Sequence, residues 1–164
     1  MATLVEKPIM KIKIDSLKNH REAIPDVSKI WHEVLGKIWM PEIGIEEIEF
    51  LYHEEVKDDT AFTFIALYDE IPVGCCTMKL QDDFRPDLGP WISDLVVAPK
   101  FQKQGIGKKL LGVAVDKARD LGFKKLYLIT FDPAIPPYYQ NLGWNTIGID
   151  AYKSHPITLM ETDL

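Results

Sequence analysis

Trp91-Ile92-Ser93-Asp94-Leu95-Val96-Val97, followed by Gln102-Lys103-Gln104-Gly105-Ile106-Gly107-Lys108, is the stretch on which the reading of this chain turns. The first seven residues are apolar and β-branched and read as a buried strand. Beyond the glycines, apolar residues recur at Ile106, Leu110, Ala114, Ala118 and Leu121, one face of an α-helix. Gly122 then stands where a left-handed C-terminal cap is expected. Strand, glycine-bearing loop and helix in that order present unpaired backbone N–H groups to an anion at the helix start. Glycine there lets a phosphate approach the backbone with no Cβ in the way. The segment predicts a phosphate-cradling loop.

Two common phosphate loops fail on spacing. Leu110 occupies the third glycine of the dinucleotide pattern G-x-G-x-x-G, while Gln102 and Lys109 occupy the first glycine and the hydroxyl position of G-x-x-x-x-G-K-[ST]. What fits is Gln/Arg-x-x-Gly-x-Gly. A second block, Tyr138-Tyr139-Gln140-Asn141-Leu142-Gly143-Trp144, has the form aromatic-Tyr-x-x-x-Gly-aromatic, and a strand-like run, Lys124–Thr130, lies between the two. With these motifs in this order the chain resembles the GNAT superfamily of acetyl-CoA-dependent N-acetyltransferases, well over residues 60–164 and loosely over 10–60. The resemblance implies one domain over residues 1–164, with a core from about residue 10. It also implies a mixed α/β fold: a mostly antiparallel sheet of six to seven strands flanked by helices, with strands four and five splayed around the acyl donor.

Residue roles follow from the same resemblance. It puts the backbone N–H of Leu95 at the thioester carbonyl and the backbone of Val97 along the pantetheine arm, with Val96 between them also binding the cofactor. Gln102, Lys103, Gln104, Gly105, Ile106, Gly107 and Lys108 surround the pyrophosphate. Asp132 stands where the family often has an asparagine on the pantetheine; an aspartate could accept from an amide but has no N–H to give. Tyr139 is placed near the sulfur as general acid, and Tyr138, about 100° around the same turn, is expected in the core.

The reaction so implied needs a proton acceptor. An alkyl amine of pKa near 10.4 is only about 0.04% neutral at pH 7, a deficit of about 4.6 kcal/mol. Many family members carry a glutamate near the start of strand four, where this chain has Trp91. Asp94 is the candidate base or amine anchor, with Ser93 and a water chain as its competitor and a buried structural pairing as the alternative fate of the carboxylate. Trp91 leaves a second reading open, a non-catalytic acyl-CoA-binding or sensor module.

Charge is unevenly spread. The chain carries a net −6, which argues against a general nucleic-acid binder. Yet Lys100, Lys103, Lys108 and Lys109 collar the loop with no acidic residue between positions 99 and 109, apt for the phosphates of coenzyme A. Residues 42–59 carry eight acidic side chains against Lys57 alone, on a helix whose apolar face would be Ile45, Ile48, Leu51, Tyr52 and Val56. Either that face is simply solvated, or it forms a rim drawing a cationic small-molecule or peptidyl amine.

The remaining expectations are brief. A hydrophobic fraction of 46% and a charged fraction of 27% suit an ordinary globule, and no apolar run approaches the roughly 20 residues that cross a bilayer. No membrane association is expected. The first eight residues lack a signal-peptide core, and Cys75-Cys76, adjacent on a strand, would point to opposite faces as unpaired thiols, so a cytoplasmic protein is expected. His20, His32, His53 and His155 show no metal spacing, and no metal is predicted. A homodimer through the closing strands is compatible with the resemblance. In outline the pattern predicts strands at Met10–Ile14, Ala61–Tyr68, Ile71–Leu80, Trp91–Val97, Lys124–Thr130, Trp144–Ile149 and Ile157–Glu161. Helices are predicted from about Pro25 or Asp26 to Leu35, over the acidic segment, after the glycine loop and from Pro137.

Overall fold

The computed structural model describes residues 11–164. Met10, where the first strand was expected to begin, lies outside them. Seven strands form one sheet: β1 (Ile12–Ser16), β2 (Ala61–Tyr68), β3 (Ile71–Lys79), β4 (Trp91–Val97), β5 (Lys125–Thr130), β6 (Asn145–Tyr152) and β7 (His155–Asp163). Their order is β1-β2-β3-β4-β5-β7-β6, antiparallel everywhere except between β4 and β5. The helices are α1 (Ile24–Trp31), α2 (Lys37–Trp39), α3 (Ile45–Glu55), α4 (Ile106–Asp120) and α5 (Pro136–Gln140), the expected mixed α/β arrangement.

Local chemistry accounts for most boundaries. The β2–β3 hairpin turns on Asp69 and Glu70, both at positive φ (48° and 65°), the backbone of a two-residue turn whose twist matches the strands. Lys153 and Ser154 do the same between β6 and β7 (47° and 68°). Neither pair contains the glycine that usually marks such a turn, so the second extends β6 and β7 beyond the residues expected of them. Helix α4 ends in paired bonds, Phe123 N–H to Ala118 O at 3.1 Å and Gly122 N–H to Arg119 O at 3.0 Å, with Gly122 left-handed at φ 87°. Because the helix stops at Asp120, Leu121 does not join its apolar stripe but is 45% exposed, and Leu111 is buried instead.

Two cores lie on the two faces of the sheet. Ile106, Leu110, Ala114 and Ala118 of α4 cover one with Met78, Leu126 and Met160; Val27, Trp31, Ile48 and Tyr52 of α1 and α3 cover the other. Cys75 belongs to the α1–α3 core and Cys76 to the α4 core, both buried and unpaired, as strand alternation requires. The first helix departs from expectation. It is α-helical only to Trp31 and then widens into a π turn over His32–Gly36. A Cβ on Gly36 would overlap the six-membered ring of Trp31, so the glycine is what lets that indole lie against the turn.

Candidate active site

Strands β4 and β5 meet at one residue pair, Trp91 with Tyr127, and separate beyond it. The edge of β4 facing β5 is therefore without a strand partner for most of its length. A cleft of about 1110 Å³ fills the opening and runs from the start of α4 to the α1–α3 layer. At its vertex Trp91 is buried, its indole N–H donating to Leu88 O at 3.1 Å and its ring against Phe84 and Tyr127.

One end of the cleft is the glycine loop. Gly105 precedes α4 with φ 82°, no side chain caps the helix, and the first intrahelical bond in this turn runs from Lys109 N–H to Gly105 O at 3.1 Å. The N–H groups of Ile106, Gly107 and Lys108 thus have no helical acceptor. Gln102, Lys103, Gly105, Ile106, Gly107 and Lys108 line the cleft; Gln104, Lys100 and Lys109 do not. Gln102 also holds the loop, donating from its side-chain amide to Val97 O at 2.9 Å. Gln104 reaches back toward Lys100 O at 3.4 Å.

The middle of the cleft is a β-bulge. Cys75 pairs with Val96 and Thr77 with Ser93, so Cys76 stands opposite two residues, Asp94 and Leu95. Asp94 takes the extra turn at φ 55°, a backbone conformation that aspartate tolerates better than most residues. One Asp94 carboxylate oxygen accepts from the indole N–H of Trp31 at 3.0 Å, while the side chain stays partly open to the cleft. Desolvation holds its carboxyl above the ordinary range, opposed by Lys79 and by the Trp31 bond. A carboxyl held above the ordinary range is a stronger base when ionised than an ordinary aspartate.

Glu55 and Lys79 complete the polar group. Lys79 Nζ lies 3.1 Å from Glu55, and Thr63 donates to the other Glu55 oxygen at 3.3 Å. Burial, then Asp94, pushes the Glu55 carboxyl up. Burial works against the charge of Lys79, but Asp94 and Glu55 together hold its ammonium above the usual value. Two further hydroxyls, Ser93 Oγ on β4 and Thr130 Oγ1 on β5, are buried in the cleft wall without a hydrogen-bond partner.

The paired tyrosines are arranged differently from expectation in one respect. Tyr138 is not a core residue: it is 43% exposed, and its hydroxyl lies 3.7 Å from where a Gly107 Cβ would sit. Tyr139, 8% exposed, packs on Trp144 at 6.0 Å between ring centres and also lines the cleft. Burial, then Cys76 and Tyr138, raises its phenol above the ordinary value, so it stays protonated at neutral pH. Asp132 lines the cleft with one oxygen already accepting from Ala134 N–H at 2.9 Å.

The acidic helix presents little of its charge here. Ile48, Leu51 and Tyr52 line the cleft, and of its acids only Glu55 does. Glu55 was legible in principle as a carboxylate on the spacing that carries Ile48 and Tyr52. Trp31 and Lys79 carried no such signal. Among the described residues no group of three or more His, Cys, Asp or Glu is arranged to hold a metal ion, and no helix is long and apolar enough to cross a membrane.

Comparison with known proteins agrees with this geometry. A model of the acetyltransferase (GNAT) family matches residues 24–144. An aminoglycoside 6′-N-acetyltransferase complexed with coenzyme A superposes with a TM-score of 0.72 at 16% identity, covering 92% of this chain and 96% of that one. The PaiA N-acetyltransferase from Thermoplasma acidophilum, also with coenzyme A, gives 0.70 at 18% identity over 94% and 100%. A spermidine N-acetyltransferase chimera from Vibrio cholerae and hSSAT gives 0.70 at 16% identity over 93% and 95%. At these identities the likeness is one of fold.

Proposed function

The chain belongs to the acetyltransferase (GNAT) family, and from that premise we propose that it transfers an acetyl group from acetyl-CoA to a primary amine of a small molecule or peptide, by direct attack in a ternary complex. The observation that carries the reading is a single cleft with an uncapped, lysine-flanked helix start at one end and a carboxylate of raised pKa in its middle. The residues present fit the donor: Gly107 has no Cβ to fill the loop, and the unpartnered edge of β4 offers backbone groups to an amide-bearing arm.

When bound, acetyl-CoA supplies a thioester whose C–S bond breaks as the amine nitrogen bonds to the acetyl carbon, giving an amide and a free thiol. The helix N–H groups of Ile106, Gly107 and Lys108, with the ammonium groups of Lys103 and Lys108, hold phosphate. Charge-assisted bonds of this kind contribute about 1.5–3 kcal/mol each. The backbone of Leu95, in the bulge, polarises the carbonyl, and that of Val96 and Val97 aligns the arm. Asp94 anchors the amine and takes its proton; Tyr139 gives one to the sulfur. Ser93 Oγ, lacking a protein partner, is positioned to hold a water or the incoming nitrogen. A homodimer, if formed, would use the sheet edge at β6, where Ile149 is 83% exposed.

Calorimetric titration with acetyl-CoA, followed by thiol release across a panel of amines, tests the reading. Micromolar binding with amine-dependent release supports it. Binding without release from any amine favours the acyl-CoA sensor, and no binding at all removes the loop assignment.

A further inference from the structure

The cleft also carries a wall of rings. Phe84 and Phe131 each meet Tyr152 edge-on, with ring centres 5.4 and 6.2 Å apart, so three aromatic side chains make one continuous surface. They come from three separate places: the loop before β4, the residue after β5 and the end of β6. All three are only partly buried and line the cleft. Phe131 and Tyr152 pack on the same core cluster as Trp31, the residue whose indole holds Asp94. The phenol of Tyr152 is correspondingly affected, after its burial, by Asp82, Lys79 and Asp94. From α3, Ile48 and Leu51 line the same cleft.

Carboxylates stand among the rings as well: Glu33, Asp82 and Asp132 line the cleft with Asp94, and Lys153 Nζ lies 5.6 Å from the Tyr152 ring centre. Glu46, Glu47, Glu49 and Glu54 do not line the cleft, and the one acid of α3 that does, Glu55, is already paired with Lys79. A single ammonium paired with Asp94, its apolar body against the rings, leaves no cation unpaired in the cleft. The apolar surround also disfavours the charged form of the amine and so lessens the cost of reaching the neutral nucleophile.

Resting on the transferase reading above, we propose that the acceptor is a monoamine carried on one aromatic or comparably bulky apolar body, with its nitrogen at Asp94 and its body against Phe84, Tyr152 and Phe131.

The test uses 2-phenylethylamine, ethylamine, spermidine and kanamycin with the intact chain. Two quantities are read: kcat/KM for thiol release with acetyl-CoA, and direct binding of 2-phenylethylamine to protein saturated with coenzyme A. Burying a phenyl ring should raise kcat/KM about 10- to 100-fold over ethylamine. Phe84→Ala should bring that ratio toward one, and Phe131→Ala provides a second variant should the first not fold. Spermidine or kanamycin outperforming 2-phenylethylamine would overturn the proposal while leaving the transferase standing. An aryl-to-ethyl ratio unchanged in the folded variants would overturn it equally. Binding of 2-phenylethylamine without thiol release from any amine would uphold the acceptor pocket and sink the transfer reaction instead.

Discussion

Replacing Trp31 by Phe isolates the role of Asp94 without touching the cleft polar groups themselves. The indole N–H donates to Asp94 at 3.0 Å from a ring that is almost wholly buried, and Phe keeps most of that ring while removing the donor. A hydrogen bond to an ionised group contributes about 1.5–3 kcal/mol and one to a neutral group about 0.5–1.5 kcal/mol. The bond therefore favours the ionised carboxyl by about 1–1.5 kcal/mol, and its loss should raise the Asp94 pKa by about one unit at 1.36 kcal/mol per unit. Because desolvation already holds this carboxyl high, the group is active only above its raised pKa, and the variant needs a still higher pH. The assay is kcat/KM against pH for both proteins with one amine, taken as the ratio of variant to wild type. The amine's own titration cancels in that ratio, and any pH-independent damage from the smaller side chain sets only its plateau. The ratio should be constant at high pH and fall about tenfold below both pKa values. A ratio flat over the whole pH range in which both proteins stay folded would refute the assignment of Asp94 as the ionised anchor or base.

Four other outcomes are expected. Tyr139→Phe should lower kcat about 100-fold with acetyl-CoA affinity unchanged by calorimetry; an unchanged kcat removes the general-acid role. Gly107→Val should fold, since a Cβ there meets only ordinary contacts at 3.7 Å, yet bind acetyl-CoA about 10- to 100-fold more weakly; retained affinity would discredit the loop. Gly74→Ala places a Cβ 2.7 Å from Val96 O and should cost about 1–3 kcal/mol, read as a lower Tm in thermal unfolding; an unchanged Tm would mean β4 shifts freely. The bonds of His20 and Asn19 to Asp15 lower its pKa to about 2. That depressed value makes Asp15 a source of stability present above about pH 4 and lost as pH falls toward 2, and Asp15→Asn should flatten this part of the denaturation profile.

Legibility in the sequence followed how local the cause was. The bounds of β2 and β4 coincide with their apolar, β-branched runs, and α4 begins at the first apolar residue after Gly105. Gly122 announced its cap because a positive φ there is a property of one residue. The bulge at Asp94 was invisible: it exists only as two residues of β4 set against Cys76 of another strand. The bond that orients Asp94 spans 63 positions of the chain and depends on Gly36 admitting the Trp31 ring. The lysines of the loop read correctly as a cluster, but only a structure separates Lys103 and Lys108, which face the cleft, from Lys100 and Lys109, which do not. The acid-rich helix misleads for the same reason, since composition says how much charge a helix bears and not which side meets a cavity.

The single Trp91–Tyr127 pair joining β4 to β5 has a mechanical consequence. The seven-stranded sheet is two hydrogen-bonded plates, β1 to β4 and β5 with β7 and β6, touching at one corner. Backbone cooperativity cannot pass from plate to plate except there, and the side-chain core beneath α4 carries the rest. A molecule bridging the two arms replaces the missing ladder, so amides on the inner edges of β4 and β5 should gain hydrogen-exchange protection together upon donor binding. That exchange signal would report occupancy of the cleft even in a variant that turns nothing over.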